Sequence, residues 1–156
     1  MPMTSEEIDA FLAEPRLAHF ATVDEAGRPR VRPLWYLWRD GAFWFTTRLE
    51  HRHTGRDLEN PSGVAISIAS EDRPYRAVLA HGRAKVVGKD EDLLFAVAAR
   101  YGEAAAKRWL APSMKESDRV VFKVVPETLL AWNYGKGDST HKQDEGASMR
   151  IASPPG

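Results

Sequence analysis

The residues best suited to chemistry crowd into positions 28–56. Seven arginines (Arg28, Arg30, Arg32, Arg39, Arg48, Arg52 and Arg56) face only two acids there, Asp40 and Glu50, with His51 and His53 close by. Six aromatic residues, Trp35, Tyr36, Trp38, Phe43, Trp44 and Phe45, are interleaved with them. Guanidinium forks suit phosphate oxygens, which they can hold bidentately, and aromatic faces suit a flat conjugated ring. A ligand with both parts, such as flavin mononucleotide (FMN), would use both. A plainer reading also fits: strand alternation would put the arginines on the solvent face of a hairpin and the aromatics on its core face. The pattern further resembles a surface for single-stranded nucleic acid. However, the chain balances 22 Lys+Arg against 22 Asp+Glu. That speaks against a polyelectrolyte-binding chain, and no nucleic-acid partner is expected.

The elements that must position these residues read as mostly β. Thr4-Ser5-Glu6-Glu7 forms a capping box, followed by Ile8, Phe11 and Leu12 at helical spacing. A helical lid over 4–14 is expected. Strands are expected at Leu17–Val23, Pro29–Trp38, Ala42–Thr47, Val64–Ala69 and Tyr75–Val87, and from Arg119 to Trp132. Asp40-Gly41 signals a tight hairpin between the second and third. Gly82, inside the fifth, suggests a bulge or a close backbone approach. A helical insertion over 90–110, capped by Asp90 and liable to break at Gly102, separates the last two strands. From Asn133 the chain is polar, and 133–156 reads as a tail, mobile or ordered only on a partner. The pattern predicts one domain, 1–132, built as a six-stranded antiparallel β-barrel with peripheral helices. Side chains fill so small a barrel, so a large ligand binds outside it or between subunits.

Composition narrows the chemistry. The chain has 156 residues and no cysteine, which excludes disulfides, thiolate metal sites and cysteine nucleophiles. No apolar run approaches the ~20 residues of a membrane span. The start, Met-Pro-Met-Thr-Ser-Glu-Glu, lacks the basic and apolar regions of a signal peptide. A cytoplasmic protein with no membrane partner is expected. His51 and His53 form a His-x-His pair without a second cluster, so no metal is expected.

The ordered set Gly27-Arg28-Pro29-Arg30-Val31-Arg32-Pro33-Leu34-Trp35-Tyr36-Leu37, Phe43-Trp44-Phe45-Thr46-Thr47, Arg52-His53 and Asn60-Pro61 resembles the pyridoxamine-phosphate-oxidase-like family of flavin-binding split β-barrels. The resemblance runs from about Leu17 to Trp132. It implies a homodimer with the cofactor at the interface. It also implies that Arg32, Pro33, Leu34, Trp35, Tyr36 and Leu37 run along the cofactor, with Arg32 at its phosphate or ribityl end. Thr46 and Thr47 would bond the ring or chain. His51, Arg52 and His53 would clamp the phosphate, histidines standing where the family has serine and lysine. Trp132 would bound the pocket of the other subunit. The substrate motif of true pyridoxine-phosphate oxidases is absent after Trp132, where the chain reads Asn133-Tyr134-Gly135-Lys136. The expected function is therefore an FMN-dependent oxidoreductase acting on a small conjugated or aromatic substrate, and not vitamin B6 oxidation. A reductase using the deazaflavin coenzyme F-420 is the alternative, with a non-catalytic flavin- or haem-binding module behind it. His141 in the tail is the candidate haem ligand.

Overall fold

The computed structural model describes residues 2–48, 52–108, 117–136 and 149–152, and only the backbone of 52–54 and 149–152. The described residues form four helices and eight strands in the order α1 (Ser5–Ala13), β1 (Ala18–Val23), β2 (Pro29–Leu34), β3 (Leu37–Arg39), β4 (Ala42–Arg48), α2 (Arg52–Leu58), β5 (Val64–Ala69), β6 (Arg76–Gly88), α3 (Glu91–Ala99), α4 (Glu103–Arg108), β7 (Arg119–Asn133) and β8 (Met149–Ala152). The strands form one antiparallel sheet in the order β2-β1-β5-β6-β7-β4-β3. β8 joins β7 through Thr128–Ala131, beyond the stretch 119–124 that pairs with β4.

The expected six strands become eight for two reasons. The second strand breaks at Trp35-Tyr36, and its halves take different partners. Pro29–Leu34 pairs with β1, whereas Leu37–Arg39 pairs with β4. The long aromatic hairpin thus shrinks to three residue pairs, turning at Asp40-Gly41, where both residues take positive φ (53° and 70°). Within the segment read as a polar tail, Met149–Ala152 supplies the additional strand. The sheet path also stays open, because β2 and β3 at its two ends are not paired with each other.

The core lies inside the curled sheet. Phe20 of β1, Phe45 of β4 and Phe122 of β7 meet with ring centroids 5.0–5.5 Å apart, and all three are fully buried. Aromatic pairs at this spacing add stabilisation beyond area burial. α1 buries Ile8, Phe11 and Leu12, with both hydrogen bonds of the Thr4–Glu7 capping box formed. At Gly82 the register between β6 and β7 shifts, and a Cβ there would lie 2.6 Å from the Val125 carbonyl oxygen. The bulge and the close approach are therefore one feature, which only glycine accommodates. The helical insertion runs as α3 and α4, broken around Gly102, with Asp90 accepting from the Leu93 N–H. No helix among the described residues is long and apolar enough to cross a membrane.

Candidate functional site at the open seam

The strand β2 alternates in an unusual sense. Pro29, Val31 and Pro33 face outward, with Val31 69% exposed, while Arg30, Arg32 and Leu34 are half-buried on the opposite face. The arginines thus point to the side that carries buried Phe20 on the paired strand. This overturns the reading in which they form a solvent face. The arrangement is tolerable because polar partners wait inside. Arg32 Nη2 donates to Thr22 Oγ1 at 2.8 Å and lies 3.6 Å from Asp57 Oδ2. Asp57, on α2, is 3% exposed, and it also accepts from Thr22 Oγ1 at 3.2 Å and pairs with Arg30 Nε at 3.5 Å. A buried carboxylate held this way fixes the two guanidinium groups rather than leaving them to sample rotamers.

Beside Arg32 lies a cavity of about 220 Å³, lined by Phe20, Arg32, Leu34, Thr46, Thr47, Arg48, Arg119 and Phe122. Its walls come from β1 and β2 at one end of the sheet path and from β4 and β7 near the other. The cavity therefore occupies the seam that the sheet leaves open. Arg48 and Arg119 are directly opposed in the β4–β7 register, and Arg119 Nη1 donates to Thr46 Oγ1 at 3.1 Å. Burial, together with the neighbouring Arg48 charge, holds the Arg119 guanidinium below its ordinary pKa. Like charges opposed across two strands are unfavourable; the Asp118 charge works against that repulsion at Arg119, and a bound anion would do so further. No acidic side chain among the described residues lines this cavity.

A second cavity of about 330 Å³ shares Leu34, Thr46 and Arg119 with the first. Pro33, Trp35, Ala105 and Arg108 complete it. The Trp35 ring stacks on Tyr101 with centroids 4.7 Å apart and planes 8° from parallel. Tyr101 is in turn fixed by a 2.7 Å hydrogen bond from its hydroxyl to the Arg16 carbonyl, and it accepts from the Tyr36 N–H at 3.0 Å.

The two cavities bring together Arg32, Pro33, Leu34, Trp35, Thr46 and Thr47 from the expected set. Tyr36 is elsewhere. The strand break turns its ring into the core, where it is fully buried and its hydroxyl donates to the Leu12 carbonyl at 3.0 Å. Burial pushes its phenol up to about 12. Leu37 is half-buried in the short hairpin, opposite Trp44, and lines neither cavity. Trp132, half-buried, pairs with Ala77 and bridges to Pro2, also away from both cavities. His51 and His141 lie outside the described residues, and Arg52 and His53 are placed only as backbone, at the start of α2. Among the described residues no group of three or more metal-ligating side chains occurs.

Arg48, Arg119 and Arg108 line the two cavities and Asp57 lies beside Arg32, and the expected set named none of the four. Arg48 was visible in the arginine-rich stretch. Arg119 bonds Thr46 across 73 positions of chain, a separation no local pattern reveals.

A model of the pyridoxamine 5'-phosphate oxidase family matches residues 4–133. The chain belongs to this family. Among solved structures, an F420 reductase is 28% identical, with 78% of this chain and 94% of that one covered and a TM-score of 0.64. HutZ, the heme storage protein of Vibrio cholerae, is 25% identical over 80% of this chain and 92% of that one, at a TM-score of 0.61. A conserved hypothetical protein from Mycobacterium tuberculosis shares the fold at 21% identity, with 91% and 94% of the chains covered and a TM-score of 0.70. No match is found among curated proteins. The mainly-β split-barrel fold is thus that of a family whose structural neighbours include both a reductase and a heme storage protein.

Proposed function

We propose that this protein is an FMN-dependent oxidoreductase acting on a small conjugated or aromatic substrate, with the phosphate of the cofactor held in the seam cavity. The observation that carries this reading is the donor set. Three arginines and two threonines line one cavity without an acid among the described residues. That chemistry fits a phosphate, which accepts charge-assisted hydrogen bonds from guanidinium forks. Arg32, Arg48 and Arg119 would hold the phosphate, and Thr46 and Thr47 would offer hydroxyl or backbone bonds to the chain next to it. Arg52 and His53, at the start of α2, remain the proposed additional clamp, with His51 before them. Leu34, shared by both cavities, would bound the ring, with the Trp35 indole beyond it. When bound, the flavin supplies the electron or hydride transfer, and these residues bind and orient it.

The protein is further proposed to act as a homodimer with Trp132 of the partner subunit closing the pocket. The edge strand β2, which presents Val31, Pro29 and Pro33 outward beside the cavity, supports this reading. The deazaflavin alternative is favoured by the F420 reductase at 28% identity and by the cationic second cavity, which suits a longer anionic tail. The purified protein's spectrum separates the two, since bound flavin absorbs near roughly 450 nm and oxidised deazaflavin near roughly 420 nm, the protein only orienting and tuning the ring. Reconstitution with each cofactor follows. Turnover with a nicotinamide or other reductant tests the enzymatic reading, and binding without turnover by any reductant would contradict it.

A further inference from the structure

We infer that the second cavity is a subsite for a planar organic anion, an aromatic or conjugated carboxylate, read by Arg108 and stacked on Trp35. The inference rests on the reading of the seam cavity as a phosphate site and specifies the substrate class beside it.

Three observations carry it. The second cavity is the larger of the two, about 330 Å³ against about 220 Å³, and falls within the size range of small-molecule sites. Its charged lining consists of Arg119 and Arg108, with no acid among the described residues, so its field favours a second negative charge distinct from the first. Its aromatic wall is preorganised. Tyr101 covers one face of the Trp35 indole and does not itself line the cavity, so the rest of the indole, 37% exposed, is what a ligand meets. Because Tyr101 is anchored to the Arg16 carbonyl and the Tyr36 N–H, the indole need not be ordered when a ring binds.

The position of Arg108 explains what the helical insertion contributes. α4 is a short helix with no buried residue, and Ala105 and Arg108 are its two contributions to the cavity wall. Ala105, small and on the same helix face one turn earlier, leaves room for a ring between α4 and Trp35. Arg108 then stands at the rim, where a carboxylate on that ring would meet it. Trp35 supplies stacking and Arg108 supplies selection by charge.

The test is calorimetric titration of the full chain with 2-naphthoate and with its neutral counterpart 2-naphthamide. The carboxylate is expected to bind several-fold tighter to the native protein. In Arg108→Gln this preference should shrink by about threefold to fivefold, as suits an ion pair at an exposed rim. In Trp35→Ala both compounds should weaken together, since stacking ignores the charge. Saturating inorganic phosphate should leave naphthoate binding intact. Equal affinity for acid and amide, an unchanged preference in Arg108→Gln, or displacement of naphthoate by phosphate would each overturn the subsite. FMN titrations of the same samples separate the two readings. FMN binding without discrimination between acid and amide removes the subsite alone. Discrimination without FMN binding removes the nucleotide reading and leaves the anion subsite standing.

Discussion

Two arginine clusters in this molecule meet opposite treatment. Arg100, on the inner side of the helical insertion, gives its guanidinium to three backbone carbonyls: those of Leu12 and Glu14, at 3.0 and 2.8 Å, and that of Tyr36. It also lies over the Tyr36 ring, 4.6 Å from its centroid. Nearby Glu14 pairs with Arg16 and Arg76. At the seam, Arg32, Arg48 and Arg119 instead converge on a cavity whose described lining holds no acid, and two of them oppose each other. The first cluster satisfies carbonyls where α1 ends and where the second strand breaks, so its charge is used up in holding the fold. The second has protein partners as well, Thr22 and Asp57 for Arg32 and Thr46 for Arg119, but it also lines a cavity. The contrast separates arginines that stabilise from arginines proposed to bind.

Truncating each cluster breaks the comparison in a different way. Arg100→Ala takes the charged donor from three carbonyls and leaves each with a tyrosine hydroxyl, so it is expected to cost about 2 kcal/mol of stability, read from urea denaturation. Arg48→Met, at a side chain on the cavity wall, is expected to cost less, about 1 kcal/mol or below. Its FMN affinity, read by quenching of flavin fluorescence, should nevertheless fall about tenfold or more, through loss of a charge-assisted contact. If Arg48→Met instead unfolded the protein while Arg100→Ala did not, the assignment of roles would be reversed.

Tyr36→Phe sharpens the same contrast with a smaller change. It removes a donor to the Leu12 and Glu14 carbonyls while Arg100 still serves both, and about 1 kcal/mol should be lost with FMN affinity unchanged. Acid should act on the structural cluster in the mildest way. Burial works to raise the Glu14 carboxyl, but hydrogen bonds from Arg16 and Arg76 outweigh it and hold the group below the usual carboxylate range. Glu7 is lowered by its bond to Lys136, and Asp24 by the backbone N–H of Arg28. A depressed folded value means stability that is full above the unfolded carboxylate range, near pH ~4. That contribution is lost as the pH falls through the folded values. Melting temperatures should therefore be flat from neutrality to about pH 5 and decline below it. A decline that begins nearer neutrality would point to a histidine instead.

What the sequence revealed of all this follows the range of the interactions. The capping box at Thr4, the hairpin turn at Asp40-Gly41 and the bulge at Gly82 rest on neighbours in the chain, and each was legible. The direction of the β2 arginines was not. Alternation tells which residues share a face, but it was the pairing with β1, and Asp57 from α2, that made the polar face the inner one. The burial of Tyr36 was hidden for a related reason. The resemblance sets Trp35 and Tyr36 side by side along the expected cofactor, whereas the break at Trp35-Tyr36 sends these adjacent aromatics to different places. Arg119 and Arg108 reach the site from elements far along the chain, and only the fold brings them in.

The claim that the open seam is a phosphate site is tested most directly by comparing FMN with riboflavin, which differs only in lacking the phosphate. Both are titrated against the native protein and against Arg48→Met. The seam reading expects FMN to bind about a hundredfold tighter than riboflavin, as two or more charge-assisted contacts imply, with the gap narrowing sharply in the variant. Equal affinities in the native protein, or a gap untouched by Arg48→Met, would contradict it.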